Sequence, residues 1–378
     1  MKSTALTLVA LLLSAHSLLG FAELNDGELF LETTGTATYD SNITGSSIGA
    51  SDFILSVDPT LRWQRQGRGT LSASAGMNFN VYDEFDVYDS EDLHADFLFD
   101  FPLTAGSPFS GGINFGYREE TTVDFYVADR VSMERTDLSM KGRYQTGRRL
   151  AWRGEVAYND TKASNYSDLK DKSIEVGVEL VELMRQVGLT ADYRIRNLES
   201  SGDIGTGRDY DDNAFSIGLT GQLLPESQFK KLEAYASVSF QKVDADNAGL
   251  EGNDRDVIGY DGVLSWEASP TTNVNLAFQK DVQNTIDDEP VESSTISLGI
   301  SKQLSRQATA SFSIQSRDIG YFGSLRRNDS IGANLGLSYL IDRNWSSGLT
   351  ISYEDSDSNE PLFRFDRFTA GVFSTYRF

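Results

Sequence analysis

Three features of the sequence predict an all-β protein that crosses a membrane as a closed, antiparallel, up-and-down β-barrel of about 18 strands, within a range of roughly 16 to 20. Segments of roughly ten residues alternate apolar and polar side chains, as membrane strands do. Short turns and long acidic loops separate these segments in rotation, and aromatic residues mark both ends of the apolar face. No apolar run is long enough for a membrane helix.

The first 22 residues predict a secretory signal peptide. Lys2 supplies a positive charge, Ala5 to Leu13 form a short apolar core, and the small residues Gly20 and Ala22 precede the expected cleavage site. The remaining residues, 23–378, show no linker and no shift of composition, so they predict one barrel domain.

Composition narrows the class of function. The 56 acidic residues outnumber the 33 basic ones, and a formal net charge of -23 argues against nucleic-acid binding, which needs a basic surface. The chain has no cysteine, so it has neither disulfides nor thiolate metal ligands. We expect no cofactor.

The alternation of side chains predicts the hairpins. Between Leu71 and Val81, for example, odd-numbered residues are apolar and even-numbered ones are Ser, Gly or Asn. Nine long loops and eight short turns give the expected strand number and place both chain ends on the short-turn, periplasmic side. Among the expected long loops are Glu119–Arg130, Asp160–Asp171 and Arg317–Asn328. The last stretch, Phe368–Phe378, alternates in the same way and predicts the closing strand.

Aromatic residues indicate which face meets lipid. All four Trp lie on the apolar face beside short turns, whereas Tyr residues mark the other end of that face, as expected for belts at two membrane interfaces. The predicted interface aromatics are Trp63, Trp152, Trp266, Trp345, Tyr39, Tyr117, Tyr158, Tyr193, Tyr353 and Phe378.

The opposite face predicts the lumen. It carries both signs of charge among Ser, Thr, Asn, Gln and Gly, so a wide barrel could pass hydrated, polar, uncharged or mildly charged solutes. Alternatively, the charges only pair across strands and keep the lumen wet. The predicted pore-lining residues are Arg62, Asp96, Arg118, Arg143, Arg153, Asp192, Arg194 and Arg196.

Other chemistry is weakly indicated. His94 lies on the polar face beside Asp96, but no Ser has a recognisable nucleophile setting, so we predict no enzyme and no catalytic residue. The acidic stretch Asp244–Gly249 resembles a calcium loop but has Ala248 at a ligand position and Arg255 where the closing Glu belongs, so we predict no metal site.

The stretch Ala37–Ile43, with Tyr39-Asp40-Ser41-Asn42 at its centre, resembles the start of the β-barrel porin family often encoded with exopolysaccharide biosynthesis genes. Phe378 and Tyr376 resemble the signal read by the outer-membrane barrel-assembly machinery. The resemblance implies a barrel in the cell outer membrane of a Gram-negative-type bacterium, with lipid, lipopolysaccharide, the assembly machinery and periplasmic polysaccharide-export proteins as partners.

Three functions remain open at this point. The resemblance favours a pore for export of an exopolysaccharide or another polar polymer. The alternative is a general or sugar-selective diffusion porin for solute uptake. A non-conducting structural or adhesive barrel with outward acidic loops is the third.

Overall fold

The computed structural model describes residues 22–24, 27–102, 107–124, 126–184, 186–201, 209–222, 232–245, 255–287 and 289–378. Each strand pairs antiparallel with the next, and β19 pairs with β2, so that 18 long strands close into an up-and-down barrel. The strands are β1 Ala22–Leu24, β2 Gly27–Asp40, β3 Asp52–Gln66, β4 Thr70–Tyr82, β5 Ser90–Phe101, β6 Phe109–Asp124, β7 Asp129–Thr146, β8 Leu150–Ala163, β9 Asp168–Met184, β10 Val187–Ser201, β11 Tyr210–Gln222, β12 Leu232–Ala245, β13 Arg255–Ser269, β14 Thr272–Asn284, β15 Pro290–Gln303, β16 Ala308–Tyr321, β17 Arg327–Leu340, β18 Trp345–Ser358 and β19 Phe365–Arg377.

Little of the described chain lies outside the barrel wall. Strand β1 pairs with the start of β2. In the described part of the chain, the 3-10 turns Asp86–Tyr88 and Pro361–Phe363 lie in connections at the long-loop end. The predicted signal segment, residues 1–22, lies outside the described residues except for Ala22, where β1 begins.

The predicted strand number is confirmed, but the predicted strand length is wrong. The barrel strands run from 12 residues in β5 to 18 in β7. Consequently the expected loops Glu119–Arg130, Asp160–Asp171 and Arg317–Asn328 are mostly strand: β6, for example, continues to Asp124 before β7 begins at Asp129. Charged residues do not stop an antiparallel ladder, because the backbone hydrogen bonds continue wherever the side chains are solvated.

Contacts between distant strands identify the inner face of this single-layered wall. The guanidinium of Arg194, on β10, lies 3.0 Å from the carboxylate of Asp281, on β14, although three strands separate them. Such a contact is possible only across the inside of a closed sheet. Residues directly opposite on neighbouring strands share a face, so the pairing register carries this assignment around the barrel.

Candidate functional site

The eight predicted pore-lining residues all lie on the inner face by this register. Asp192, Arg194 and Arg196 alternate along β10, with Arg194 fixing their face. The register then links β10 through β9 and β8 to β3. The others are Arg62 on β3, Asp96 on β5, Arg118 on β6, Arg143 on β7 and Arg153 on β8.

Two of these arginines share carboxylates from neighbouring and distant strands. Arg194 donates to Asp212 at 2.8 Å and to Asp281 at 3.0 Å. Arg196 pairs with Asp171 at 2.9 Å and approaches Asp281 at 3.4 Å. A shared carboxylate between two guanidinium groups forms charge-assisted hydrogen bonds in several directions, which fixes this part of the inner wall.

Other inner-face arginines have their own acidic partners. Arg153 lies 2.5 Å from Asp192, and Arg143 lies 2.9 Å from Glu179. On the far side of the barrel, Arg62 lies 3.1 Å from Glu32. The predicted residues therefore form several separate contacts: Asp96 accepts from Ser74 at 3.4 Å and does not join the β8–β10 cluster.

The acids that complete the β10 cluster were missed by sequence reasoning. Asp171, Asp212 and Asp281 all fall in segments that were expected to be loops. The available signal was the alternation of side chains, which continues through Asp171 and Asp212 into strands β9 and β11.

Two recesses open between the charged residues of the inner wall. One has a volume of about 150 Å³ and is lined by Glu175, Arg194, Gln241, Asp261 and Asp281 among others. The second has a volume of about 350 Å³ and is lined in part by Asp100, Lys141, Arg143, Arg153 and Glu155. Both recesses present carboxylates and cations with hydrogen-bonding capacity to a solute in the lumen.

At the long-loop end, a half-buried arginine joins three segments of the mouth. Arg130, near the start of β7, donates to the carbonyl oxygen of Ile43 at 3.0 Å and to that of Thr121 at 3.0 Å. It also donates to the Tyr82 hydroxyl and lies with its guanidinium carbon 4.9 Å from the Tyr82 ring centroid. The first loop of the barrel is thereby attached to the tip of the β6–β7 hairpin.

A second arginine spans the mouth. Arg326 is only 5% exposed and donates to the carbonyl oxygen of Tyr126 at 2.5 Å, across 200 residues of sequence. It also stacks on the Phe363 ring, 3.3 Å from the centroid. By the shorter way round the barrel, six strands separate β6 from β17. The connection between β6 and β7 therefore meets the connection between β16 and β17 across the opening of the barrel, and the contact narrows that opening.

Apolar packing supports these contacts. Ile286, in the β14–β15 connection, packs with Val131 and Met133 of β7, and the backbone N–H of Ser167 donates to Ile286 O at 2.9 Å. Tyr126 packs against a cluster that includes Ile319, and burial raises the pKa of its hydroxyl. Burial likewise raises the pKa of Tyr166 to about 12. Both phenols therefore stay neutral, which suits their packed positions.

The stretch that carried the family resemblance forms the seam of the barrel. Arg367 on β19 pairs with the buried Asp40 of β2, with the closest contact at 2.7 Å. Asn42 turns the chain after β2: its side-chain oxygen accepts from Gly45 N at 2.9 Å, and its amide nitrogen donates to Asp366 O at 3.2 Å. The motif thus joins the first and last barrel strands and does not project into the lumen as a ligand site.

Nine of the ten predicted interface aromatics have outer-face positions in the register, and Phe378 follows the last paired residue, Arg377. Three tyrosines end an apolar run: Tyr117, Tyr158 and Tyr353 are each followed two residues later by an outward acid. The Tyr117 hydroxyl donates to Glu119 at 2.6 Å. From Leu150 to Tyr158 the outward side chains of β8 are apolar or glycine over nine residues, and a tilted strand needs about 9–11 to cross a bilayer. Beyond this apolar stretch of the outer face, the strands continue toward the long-loop end.

This assignment of faces predicts an asymmetric effect of charge. Val156 lies on the outer face of β8 and is 47% exposed. Val156→Arg is expected to lower the free energy of unfolding in lipid by about 2–4 kcal/mol, because the guanidinium would enter hydrocarbon. Denaturant titration of the vesicle-inserted protein measures this. Ser173→Arg, on the inner face of β9, is the control and should cost much less; equal losses would contradict the assignment.

His94 is held within the wall. Its Nε2 lies 3.0 Å from Thr60 Oγ1 and 3.6 Å from Asp58, so the neighbour expected from sequence, Asp96, is not its partner. Among the described residues no group of His, Asp and Glu could hold a metal ion, and no helix is long and apolar enough to span a membrane. Most of the calcium-like stretch Asp244–Gly249 lies outside the described residues.

A closed barrel of 18 strands with a charged inner face has the porin fold. Residues 236–377, covering β13–β19 and most of β12, match the model of the family described as "Putative beta-barrel porin 2". No curated protein matches the chain.

Solved structures of similar fold come from Pseudomonas. OccK2 (OpdF) of Pseudomonas aeruginosa, in complex with glucuronate, is 14% identical with a TM-score of 0.51, and the match covers 95% of this chain and 99% of that one. A BenF-like porin from Pseudomonas fluorescens Pf-5 is 12% identical with a TM-score of 0.49, covering 95% and 100%. At this identity the OccK2 match shows a shared fold.

Proposed function

We propose that this protein is an outer-membrane porin through which small polar solutes diffuse, exported to that membrane by the signal segment 1–22. The observation that carries the proposal is the closed 18-strand wall with an apolar outer belt and a charged, polar inner face. Barrels of this size leave an aqueous channel. Outer-membrane lipid and lipopolysaccharide are then its immediate surroundings, and the barrel-assembly machinery is its partner during insertion.

Uptake is favoured over polymer export. Export was expected from the resemblance at Ala37–Ile43, but those residues form the barrel seam. The contacts of Arg130 and Arg326 narrow the mouth, which suits small solutes better than a polysaccharide chain. The fold neighbour OccK2 was solved in complex with glucuronate, which is a small molecule and not a polymer.

Reconstitution tests the proposal. Liposomes that contain the folded protein are expected to swell in iso-osmotic arabinose and more slowly in sucrose, and to retain entrapped dextran, since the narrowed mouth excludes a polymer. Protein-free liposomes give the background. Passage of dextran would favour the export function. Full insertion without swelling or ion conductance would contradict any pore and favour the structural barrel.

A further inference from the structure

The inner wall carries two kinds of charged residue. The guanidinium groups of Arg62, Arg143, Arg153, Arg194 and Arg196 each lie within an ion pair. A paired guanidinium presents little net charge to a passing solute, because its carboxylate partner lies within hydrogen-bond distance. The charge that a solute experiences therefore depends mainly on the side chains outside these pairs.

Two carboxylates outside these pairs converge on one glycine of β6. Gly116 lies directly between Asp96 of β5 and Asp137 of β7. A Cβ placed on Gly116 would lie 3.6 Å from an oxygen of Asp96 and 3.7 Å from an oxygen of Asp137, so both carboxylates lean over the space that glycine leaves.

Within its own row of the register this pair has uncharged neighbours. On either side of the pair, this inner-face row continues with Ser74, opposite Asp96, and with Asn159, opposite Asp137. The next inner-face row carries Arg118 and Arg135, and Arg135 is paired with Glu120 at 3.1 Å, which leaves Arg118 as the cation nearest to the two carboxylates. Like charges close together on one face are unfavourable when no cation lies between them. In a water-filled lumen, mobile cations provide that compensation.

A second like-charge pair lies on the next strands. Glu155 of β8 and Glu175 of β9 are direct cross-strand partners on the inner face. Lys141 lies opposite Glu155 on the other side, so this pair is more nearly balanced than Asp96 and Asp137. Its position nevertheless extends the acidic surface along the same side of the lumen.

The wall formed by β14–β19 contributes no opposing basic surface at its middle. One continuous row of inner-face partners crosses these six strands without a charged residue. It consists of Asn275, Gly299, Ser313, Asn334, Ser352 and Thr369. A solute in the lumen thus meets amides and hydroxyls on this side and excess carboxylates on the other.

We propose that the lumen selects cations and neutral polyhydroxylated solutes over anions, with Asp96 and Asp137 as the main selectivity-determining residues. This inference rests on the proposed function, since selectivity requires a conducting pore. Rows of carboxylates confer cation preference in other channels by the same electrostatic attraction. The carboxylates attract cations, the paired arginines offer little compensating attraction to anions, and the neutral row hydrogen-bonds hydroxyl groups.

The reversal potential in a planar bilayer under a KCl gradient tests this inference. Wild-type protein is expected to favour potassium over chloride, and Asp96→Asn/Asp137→Asn is expected to shift the permeability ratio several-fold toward unity. The matched control is Asp355→Asn/Asp366→Asn, which removes a cross-strand carboxylate pair from the outer face and should leave the ratio unchanged. Should the first double variant fail to fold, Glu155→Gln/Glu175→Gln is expected to shift the ratio in the same direction.

Salt provides a second measurement on the unaltered protein. Selectivity should weaken between 0.1 M and 1 M KCl, because the Debye length falls from about 10 Å to about 3 Å. A conducting pore that prefers chloride, or whose ratio is the same in wild type and both inner-face variants, overturns the selectivity alone. A protein that inserts without conducting overturns the proposed function as well.

Discussion

Arg326→Ala is expected to increase single-channel conductance and to make the open current noisier. The variant loses the hydrogen bond to Tyr126 O and the stacking on Phe363 that hold the β6–β7 tip across the mouth. Each hydrogen bond to a charged group contributes roughly 1.5–3 kcal/mol, so the equilibrium between packed and released tip should shift about tenfold or more. Planar-bilayer recording of single insertions measures the change.

The adjacent residue provides the control for this prediction. Arg327 is exposed at the start of β17, and Arg327→Ala removes the same charge from the same end of the barrel. Its conductance should equal that of the wild type. If Arg326→Ala also conducts like the wild type, the contact across the mouth does not limit flow.

A cross-link gives the opposite manipulation of the same mouth. A hydrogen bond of 2.9 Å from Ser167 N to Ile286 O brings the two backbones into contact, so the double variant Ser167→Cys/Ile286→Cys places its two thiols on adjoining segments. The chain has no other cysteine, so oxidation can form only this bond within one molecule. Oxidised protein should show quieter current than reduced protein; identical records would mean that these segments do not separate during conduction.

Asp40→Asn is expected to lower the stability of the barrel by about 3–5 kcal/mol, because it leaves the guanidinium of Arg367 without its charged partner in a buried site. Asp40 is fully buried, and Arg367 contacts both of its carboxylate oxygens. Denaturant titration in micelles, followed by the gel mobility of folded and unfolded forms, measures the loss.

An exposed acid next to Arg367 on β19 provides the matched control for the Asp40→Asn variant. Asp366 lies beside Arg367 with its side chain on the outer face, and Asp366→Asn should change stability little. Replacing both seam partners, as in Asp40→Leu/Arg367→Met, should recover part of the loss because no charge is then buried alone. Equal midpoints for Asp40→Asn and the wild type would contradict a stabilising role for the pair.

The number of strands was predictable because it depends on local patterns. Alternation with period two and compact turns, such as the one at Gly147, mark each hairpin without reference to the rest of the chain. Strand length was not predictable in the same way. Outward acids such as Glu119 and Asp160 suggest loops, yet they lie in strands that extend past the apolar belt.

The inner wall was predictable in part. The alternation of side chains along β10 identifies Arg194 and Arg196 as inner-face residues. Their partner Asp281 lies four strands further along the barrel, and only closure of the sheet brings it near them. The contact between Arg326 and Tyr126 likewise joins residues 200 apart. The pattern of neighbouring residues contains no information about such pairs.

Asp40 and Arg367 are 327 residues apart in sequence. Bringing them together therefore closes a very long loop, and the unfolded chain loses more conformational entropy than it does in forming a contact within one hairpin. Contacts of this kind form late in folding, after the hairpins between them. Interactions that are absent from the transition state slow unfolding without accelerating folding. The strength of this pair therefore contributes to how long the finished barrel survives once it is made.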